Sequence, residues 1–233
     1  KTYLFDHLRP VPELSFAVRE LGCEGGIVIT ASHNPKEYNG YKVYDNKGCQ
    51  LIPVLIDQVI AEINKIDDEL AIEVNLSDKQ RALVHWIDHE IDELYIKRVL
   101  EIQNRPEMDK SNLNLVFTPQ HGTALIPVTD VFNKAGYPYI LVDEQCSFDP
   151  DFPNTKSPNP EEKVAYEKAI ELARRVDADG VLSTDPDADR VGIVVKHNNE
   201  YILLTGNQTG SILIEYLLKT KTLLNTLPKN PII

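Results

Sequence analysis

Apolar positions along this 233-residue chain fall into short blocks whose spacing alternates between that of strands and that of helices. Residues 2–5 read as a strand. Pro10-Val-Pro12-Glu13 opens a helix to about residue 21, with prolines and an acid where the first turn accepts them. Residues 27–30 form a continuous apolar run, which suits a strand buried on both faces, and deliver the chain into a loop at 31–35. Asn39-Gly40 marks a turn, and 41–45 with 49–52 flank Asn46-Lys47-Gly48 as a hairpin. Val54, Leu55, Val59, Ile60 and Ile63 stripe a helix over 53–66. Residues 67–80 are acidic and irregular, and a helix is predicted from about 85 to 101.

Asn104-Arg-Pro106 opens a polar stretch that makes the best domain boundary. Beyond it, strands at 113–117, 139–142 and 181–183 alternate with helices at 124–134 and 161–176, the latter started by Asn159, Pro160 and Glu162. A long loop with four prolines occupies 146–160. Residues 191–195 and 201–204 form a hairpin across Asn198-Asn199. Residues 208–218 begin a further helix, and 231–233 look like a strand cut off. This order predicts an α/β fold with mixed, mainly parallel sheets covered by helices.

Composition narrows the setting. Hydrophobic residues make up 42% of the chain, enough for a packed core. The net charge of -12, from 24 basic and 36 acidic residues, argues against nucleic acid or an anionic membrane as partner, but not against a small phosphorylated ligand held by a local cluster. No apolar run approaches the ~18–20 residues of a membrane span, and no signal-peptide pattern opens the chain. Cys23, Cys49 and Cys146 are odd in number and scattered, which fits a reducing, cytoplasmic compartment.

Three motifs carry chemistry. In Thr184-Asp185-Pro186-Asp187-Ala188-Asp189-Arg190, three carboxylates at alternate positions follow a strand. In an extended loop alternate side chains point the same way, and like charges converging there need a hard cation, Mg²⁺ or Ca²⁺, between them. An EF-hand needs Gly and Glu where Arg190 and Lys196 stand, and a D-x-D-x-[TV] loop needs Thr or Val where Asp189 stands. A solvated acidic turn is the bland alternative; the preceding strand and the adjacent Arg190 weigh against it. The second motif, Thr30-Ala31-Ser32-His33-Asn34-Pro35, exposes a serine at a strand end, where ligands meet α/β sheets. It lacks a G-x-S-x-G elbow, and Gly25-Gly26 precedes its strand, the wrong order for a dinucleotide site. The third, Pro119-Gln120-His121-Gly122-Thr123, lies between a strand and a helix start, a plausible anion site in which His121 has a structural reading equally open to it.

The combination of Gly26-Ile-Val-Ile-Thr-Ala-Ser-His-Asn-Pro35, Asn39-Gly-Tyr-Lys42 and Asp185-Pro-Asp-Ala-Asp-Arg190 resembles the α-D-phosphohexomutase superfamily of phosphoglucomutases and phosphomannomutases. Residues 39–45 and Ser157-Pro-Asn-Pro-Glu161 are most similar to its phosphoglucomutase/phosphopentomutase branch. The resemblance implies the later part of the family's first domain at 1–105, the second domain at 106–205 and the opening of the third at 206–233. It implies that Ser32 is the phosphorylated nucleophile, and that Asp185, Asp187 and Asp189 hold Mg²⁺ together with a phosphoserine oxygen. Lys42 would be a general acid or base, Arg190 a neighbour of the phosphoserine and His33 a supporting residue; Lys42 and Arg190, with His121 from its place at the third motif, are the candidate substrate contacts.

The implied reaction passes a phosphoryl group between positions of a sugar monophosphate through a bisphosphate, which also serves as activator. A sugar-bisphosphate synthase, a phosphatase or a non-catalytic metal- or phosphate-binding module are the alternatives. The family's G-E-x-S-G sugar loop, its R-x-S-G-T phosphate clamp and its arginine-bearing start have no match here, so the resemblance implies an inactive fragment.

Overall fold

The computed structural model describes residues 1–72 and 74–231 and divides into two compact units. The first comprises Lys1–Thr30 and Gly40–Tyr95, and the second Ala31–Asn39 and Ile96–Ile233.

In the first unit β1 (Thr2–Phe5) pairs in parallel with β4 (Val84–Ile87), and β2 (Gly25–Ile29) pairs antiparallel with β3 (Tyr41–Asp45). Helix α1 (Val11–Glu20) buries Val11, Ala17 and Val18. It packs on β2 where Gly26 leaves room for Leu14 and Val18. The other face of β2 is open: Ile27 is 54% and Ile29 67% exposed, so the apolar run is not a strand buried on both faces. Helix α2 (Pro53–Ile63) buries none of its residues. A 3₁₀ turn and the single-turn helix α3 (Asp78–Arg81) lie within the stretch read as irregular.

Two elements differ from expectation. Residues 84–87 are a strand rather than the start of a helix, because Leu4 and Phe5 pair with Trp86 and Ile87; helix α4 (His89–Leu100) begins only afterwards. The partner of β3 is β2, and the expected second arm of its hairpin makes only the bridge Tyr44–Gln50.

The second unit is a three-layer α/β/α sandwich. Its five-stranded sheet runs β6 (Tyr139–Leu141), β5 (Leu115–Thr118), β7 (Gly180–Thr184), β8 (Val191–His197), β9 (Glu200–Leu203). The β6–β5–β7 pairings are parallel and those of β8 and β9 antiparallel. Alternation along the strands divides the core. Val116, Val181 and Val194 face Ala169, Ile170 and Ala173 of α6 (Glu167–Val176). Phe117 faces the other way onto Phe132 and Val128 of α5 (Leu125–Ala135). Burying a side chain such as Phe117 contributes ~1.5–3 kcal/mol.

Helix α6 starts at 167 rather than 161. Buried Tyr166 donates its hydroxyl to the Pro160 carbonyl at 2.7 Å, the acceptor that a helix begun at Pro160 would use, and Asn159 instead caps a local turn by accepting from the Glu161 N–H. Asn198 and Asn199, with φ of 49° and 64°, close the β8–β9 hairpin. Helix α7 (Gly206–Leu223) opens with a capping box between Thr205 and Gln208. The terminal strand expected at 231–233 falls largely outside the described residues. Among those described, no helix is long and apolar enough to cross a membrane.

One buried acid yields a pH test. Glu13 is 1% exposed, and burial, with the hydrogen bond and charge of Asp92, pushes its pKa to about 8 against the opposing pull of Arg9. Arg9 itself grips both Asp92 oxygens at 2.7 and 3.0 Å. The folded state therefore holds a proton that the unfolded chain, with a value of 4.5, releases. That contribution is full below pH ~4.5 and is lost as pH rises through about 8. Glu13→Gln should flatten this loss, by a few kcal/mol at most between pH 5 and 8.5, measured by urea unfolding. An unchanged slope would place Glu13 outside the titration.

Candidate active site

Parallel strands β5 and β7 release their loops at the same sheet end, the edge where open α/β sheets bind ligands. Residues 119–123 follow β5, and residues 185–190 connect β7 to β8, whose ends pair as Thr184 with Val191. The acidic loop is a tight hairpin connection, not an extended segment. The Ala188 N–H donates to the Asp185 carbonyl at 3.0 Å, with Pro186 and Asp187 inside the turn, and Ala188 takes φ 58°. Wrapping of the turn therefore makes the aspartates converge, rather than strand alternation. One carboxylate oxygen from each of Asp185, Asp187 and Asp189 lies within 4.8 Å of the others.

Asp185 is fully buried and Asp187 is 5% exposed. Burial, reinforced by the charge of Asp187 and then Asp189, raises the Asp185 pKa to about 7 even though Ser32 hydrogen-bonds it. Like charges at this spacing repel by roughly 3–4 kcal/mol per pair at an effective dielectric of ~20. The donor set fits a hard cation: opposite oxygens on Mg²⁺ stand roughly 4.2 Å apart and on Ca²⁺ roughly 4.6–5.2 Å apart.

The segment Ala31–Asn39 belongs to the same compact unit as the aspartates. Ser32, at φ 51°, donates its hydroxyl to Asp185 Oδ2 at 2.8 Å. The other oxygen of Asp185 accepts the Arg190 N–H at 3.1 Å. Arg190 Nη1 stands 3.5 Å from His33 Nε2, and His33 Nδ1 stands 3.3 Å from Ser32 Oγ. Arginine only donates, so in any hydrogen bond between these two groups Nε2 is the acceptor. Arg190 also lies 3.8 Å from Glu161 Oε1 and 4.0 Å from Asp189 Oδ1. Lys36 anchors the serine loop to Asp151 at 2.7 Å.

His121 is 4% exposed, and its Nδ1 donates to the Ser147 carbonyl at 2.8 Å. Its backbone, at φ 61°, donates to the Gln145 carbonyl at 2.8 Å. Lys42 belongs to the first unit, half-buried on β3 opposite Val28. Sequence reasoning missed Thr118, Gln145 and Lys36, and named Gly122, Thr123 and Glu161 only as members of motifs, with no role of their own. Their partners are remote in the chain, and only the Gly-Thr step between strand and helix hinted at the first loop's role.

The family model described as phosphoglucomutase/phosphomannomutase, alpha/beta/alpha domain I, matches residues 1–70, and that for domain II matches 93–199. A phosphoglucomutase of Staphylococcus epidermidis is 42% identical over 223 residues, which is 94% of this chain and 40% of that protein. A putative phosphomannomutase from Thermus thermophilus superimposes with a TM-score of 0.76 at 23% identity, covering 94% of this chain and 46% of that one. An Aspergillus fumigatus N-acetylphosphoglucosamine mutase in complex with glucose 1,6-bisphosphate gives a TM-score of 0.58 at 16% identity, covering 91% and 51%. The two structural likenesses show the fold, and the two family models show membership: the chain belongs to the phosphoglucomutase/phosphomannomutase family. It spans about 40% of the length of the curated relatives it matches.

The scaffold under the His121 loop is testable by stability. Buried Thr118 donates to Gln145 Oε1 at 2.6 Å and accepts from the Gln120 N–H at 3.1 Å. Thr118→Val keeps the shape but strands both partners, and should cost about 1–3 kcal/mol in denaturant unfolding. A loss below a few tenths would mean that the bonds contribute nothing net.

Proposed function

We propose that this chain carries the phosphoserine and cation-binding part of a sugar-phosphate mutase. The observation that supports this most directly is the 2.8 Å hydrogen bond between Ser32 Oγ and Asp185, which sets a potential nucleophile against a carboxylate trio. Asp185, Asp187 and Asp189 would hold Mg²⁺ together with an oxygen of phosphorylated Ser32. Bound there, the cation would neutralise charge on a group that carries about -1.5 to -2 near neutral pH.

In the proposed cycle a hydroxyl of the sugar monophosphate attacks the phosphorus of phospho-Ser32. A new P–O bond to the sugar forms as the bond to Ser32 Oγ breaks, and Lys42 takes the proton of the attacking hydroxyl. The bisphosphate turns over, and its other phosphate returns to Ser32, with Lys42 giving the proton back. Arg190 would bind transferring phosphate oxygens, with His33 as a supporting residue beside them. His121 would act as a further substrate contact. A bisphosphate would be both intermediate and activator; the Aspergillus relative has glucose 1,6-bisphosphate in complex.

We assign 1–105 to the first family domain, 106–205 to the second and 206–233 to the start of the third. We infer a cytoplasmic enzyme acting on small sugar phosphates, without nucleic acid or membrane as partner. Because the chain spans about 40% of its relatives' length, groups that hold the sugar and its far phosphate would lie elsewhere.

A mutase assay tests the reading. The intact protein should interconvert sugar 1- and 6-phosphates (or 5-phosphates) with Mg²⁺ and bisphosphate; Ser32→Ala should abolish turnover, and this chain alone should show little. Turnover by the Ser32→Ala protein would remove the serine assignment. Release of free phosphate, or accumulation of bisphosphate, would favour a phosphatase or a synthase. Asp187→Asn should weaken Mg²⁺ binding and activity together, by about 10-fold or more in calorimetric affinity, since a hard cation loses a full ligand charge. Equal affinity in the variant would return the trio to a solvated acidic turn.

A further inference from the structure

The two strand-end loops touch at the Pro186 backbone, inside the acidic turn. A Cβ on Gly122 would lie 2.3 Å from both Cα and O of Pro186 and 2.7 Å from its carbonyl carbon. These are backbone atoms that no side-chain rotation can clear. Gly122 does not adopt the left-handed conformation, so the position demands space rather than unusual dihedrals. Thr123 follows and donates twice to the Pro186 carbonyl, from its N–H at 2.8 Å and its hydroxyl at 3.1 Å. Pro186 stands between the two buried acids, so any displacement of its backbone moves both.

The seat itself is held from below. The Gly122 N–H donates to the Pro119 carbonyl at 2.8 Å. His121 is tied through its N–H to the Gln145 carbonyl and through Nδ1 to the Ser147 carbonyl, each at 2.8 Å. The Gln120 side chain donates to the Ala165 carbonyl at 2.7 Å. Gln120 and His121 both have positive φ, at 51° and 61°, a conformation these bonds maintain.

We infer that Gly122 and Thr123 are positioning residues for the cation site. They fix Asp185 and Asp187 by seating the Pro186 backbone, so that the carboxylates are held at ligand spacing before a cation arrives. The inference rests on the metal reading above, and it names residues that touch neither cation nor substrate. Partners that orient ligands typically change metal affinity by 10–100-fold when altered.

The test uses this chain and two independent readouts. The first is Mg²⁺ affinity by titration calorimetry. Gly122→Ala should weaken it by about 10–100-fold, Thr123→Val by several-fold, and Thr123→Ser, which keeps the hydroxyl, should restore near-native binding. The second is amide hydrogen exchange without metal, at Ala188 and Arg190, whose N–H groups bond to the Asp185 carbonyl and Oδ1. Gly122→Ala should speed exchange at these two amides while the β8 amide of Val194 stays protected. Native affinity and native exchange in Gly122→Ala would overturn the inference. So would uniformly faster exchange including Val194, which marks general destabilisation. If the unaltered chain binds no Mg²⁺, the metal reading fails on its own, and the exchange pattern still decides whether this seat orders the acidic turn.

Discussion

Holding Asp185, Asp187 and Asp189 together is the constraint around which the second unit is organised. Their approach within 4.8 Å is opposed by mutual repulsion and, for the two buried members, by lost hydration. Hydrogen-bond donors offset part of this. Asp185 takes one hydrogen bond from the Ser32 hydroxyl and one from the Arg190 N–H. The Pro186 carbonyl takes two from Thr123. Arg190 remains partly exposed at the rim, 4.0 Å from Asp189.

That constraint explains why the site sits on the sandwich rather than on a free loop. Parallel β5 and β7 are packed on both faces, by α6 on one side and α5 on the other. Their ends are therefore rigid enough to hold one loop against the next. The serine segment reaches the same place although it is distant in sequence, and its backbone is left-handed at Ser32. The segment is tethered at Lys36 to Asp151, which steadies the serine's loop at modest energetic gain because both partners are exposed.

Legibility in the sequence followed the range of the forces involved. Elements set by local periodicity or by turn residues were readable: α1, α5, β7 and the Asn198-Asn199 hairpin lie close to where pattern puts them. Elements set by remote partners were not. Residues 84–87 resemble the start of a helix until pairing with Thr2–Phe5, some eighty positions away, makes them a strand. The Asn159-Pro160 start is well formed locally, yet the buried Tyr166 hydroxyl claims its carbonyl. The serine and the acids were visible as residue types and spacing; that Ser32 lies beside the acids was implied only by the family resemblance, and its bond to Asp185 fits that expectation. How the acids converge was not, because a turn closed by Ala188 does what alternation in an extended loop was expected to do. The Gly122–Pro186 contact was likewise invisible, since nothing in either motif names the other.

The pairing of Thr184 with Val191 carries one more consequence. It fixes the connection at six residues, and β8 is committed on its other edge to β9 through Val194, Val195, Lys196 and His197. Side chains along a strand alternate faces, so a residue added to or removed from this loop must be absorbed as a bulge or passed down β8. Passed on, it would turn the fully buried Val194 out of the core that contains Ala169 and Ala173. Length polymorphism is therefore closed to this loop for a reason unrelated to its chemistry: an insertion beside the acids would be paid for in the hydrophobic interior.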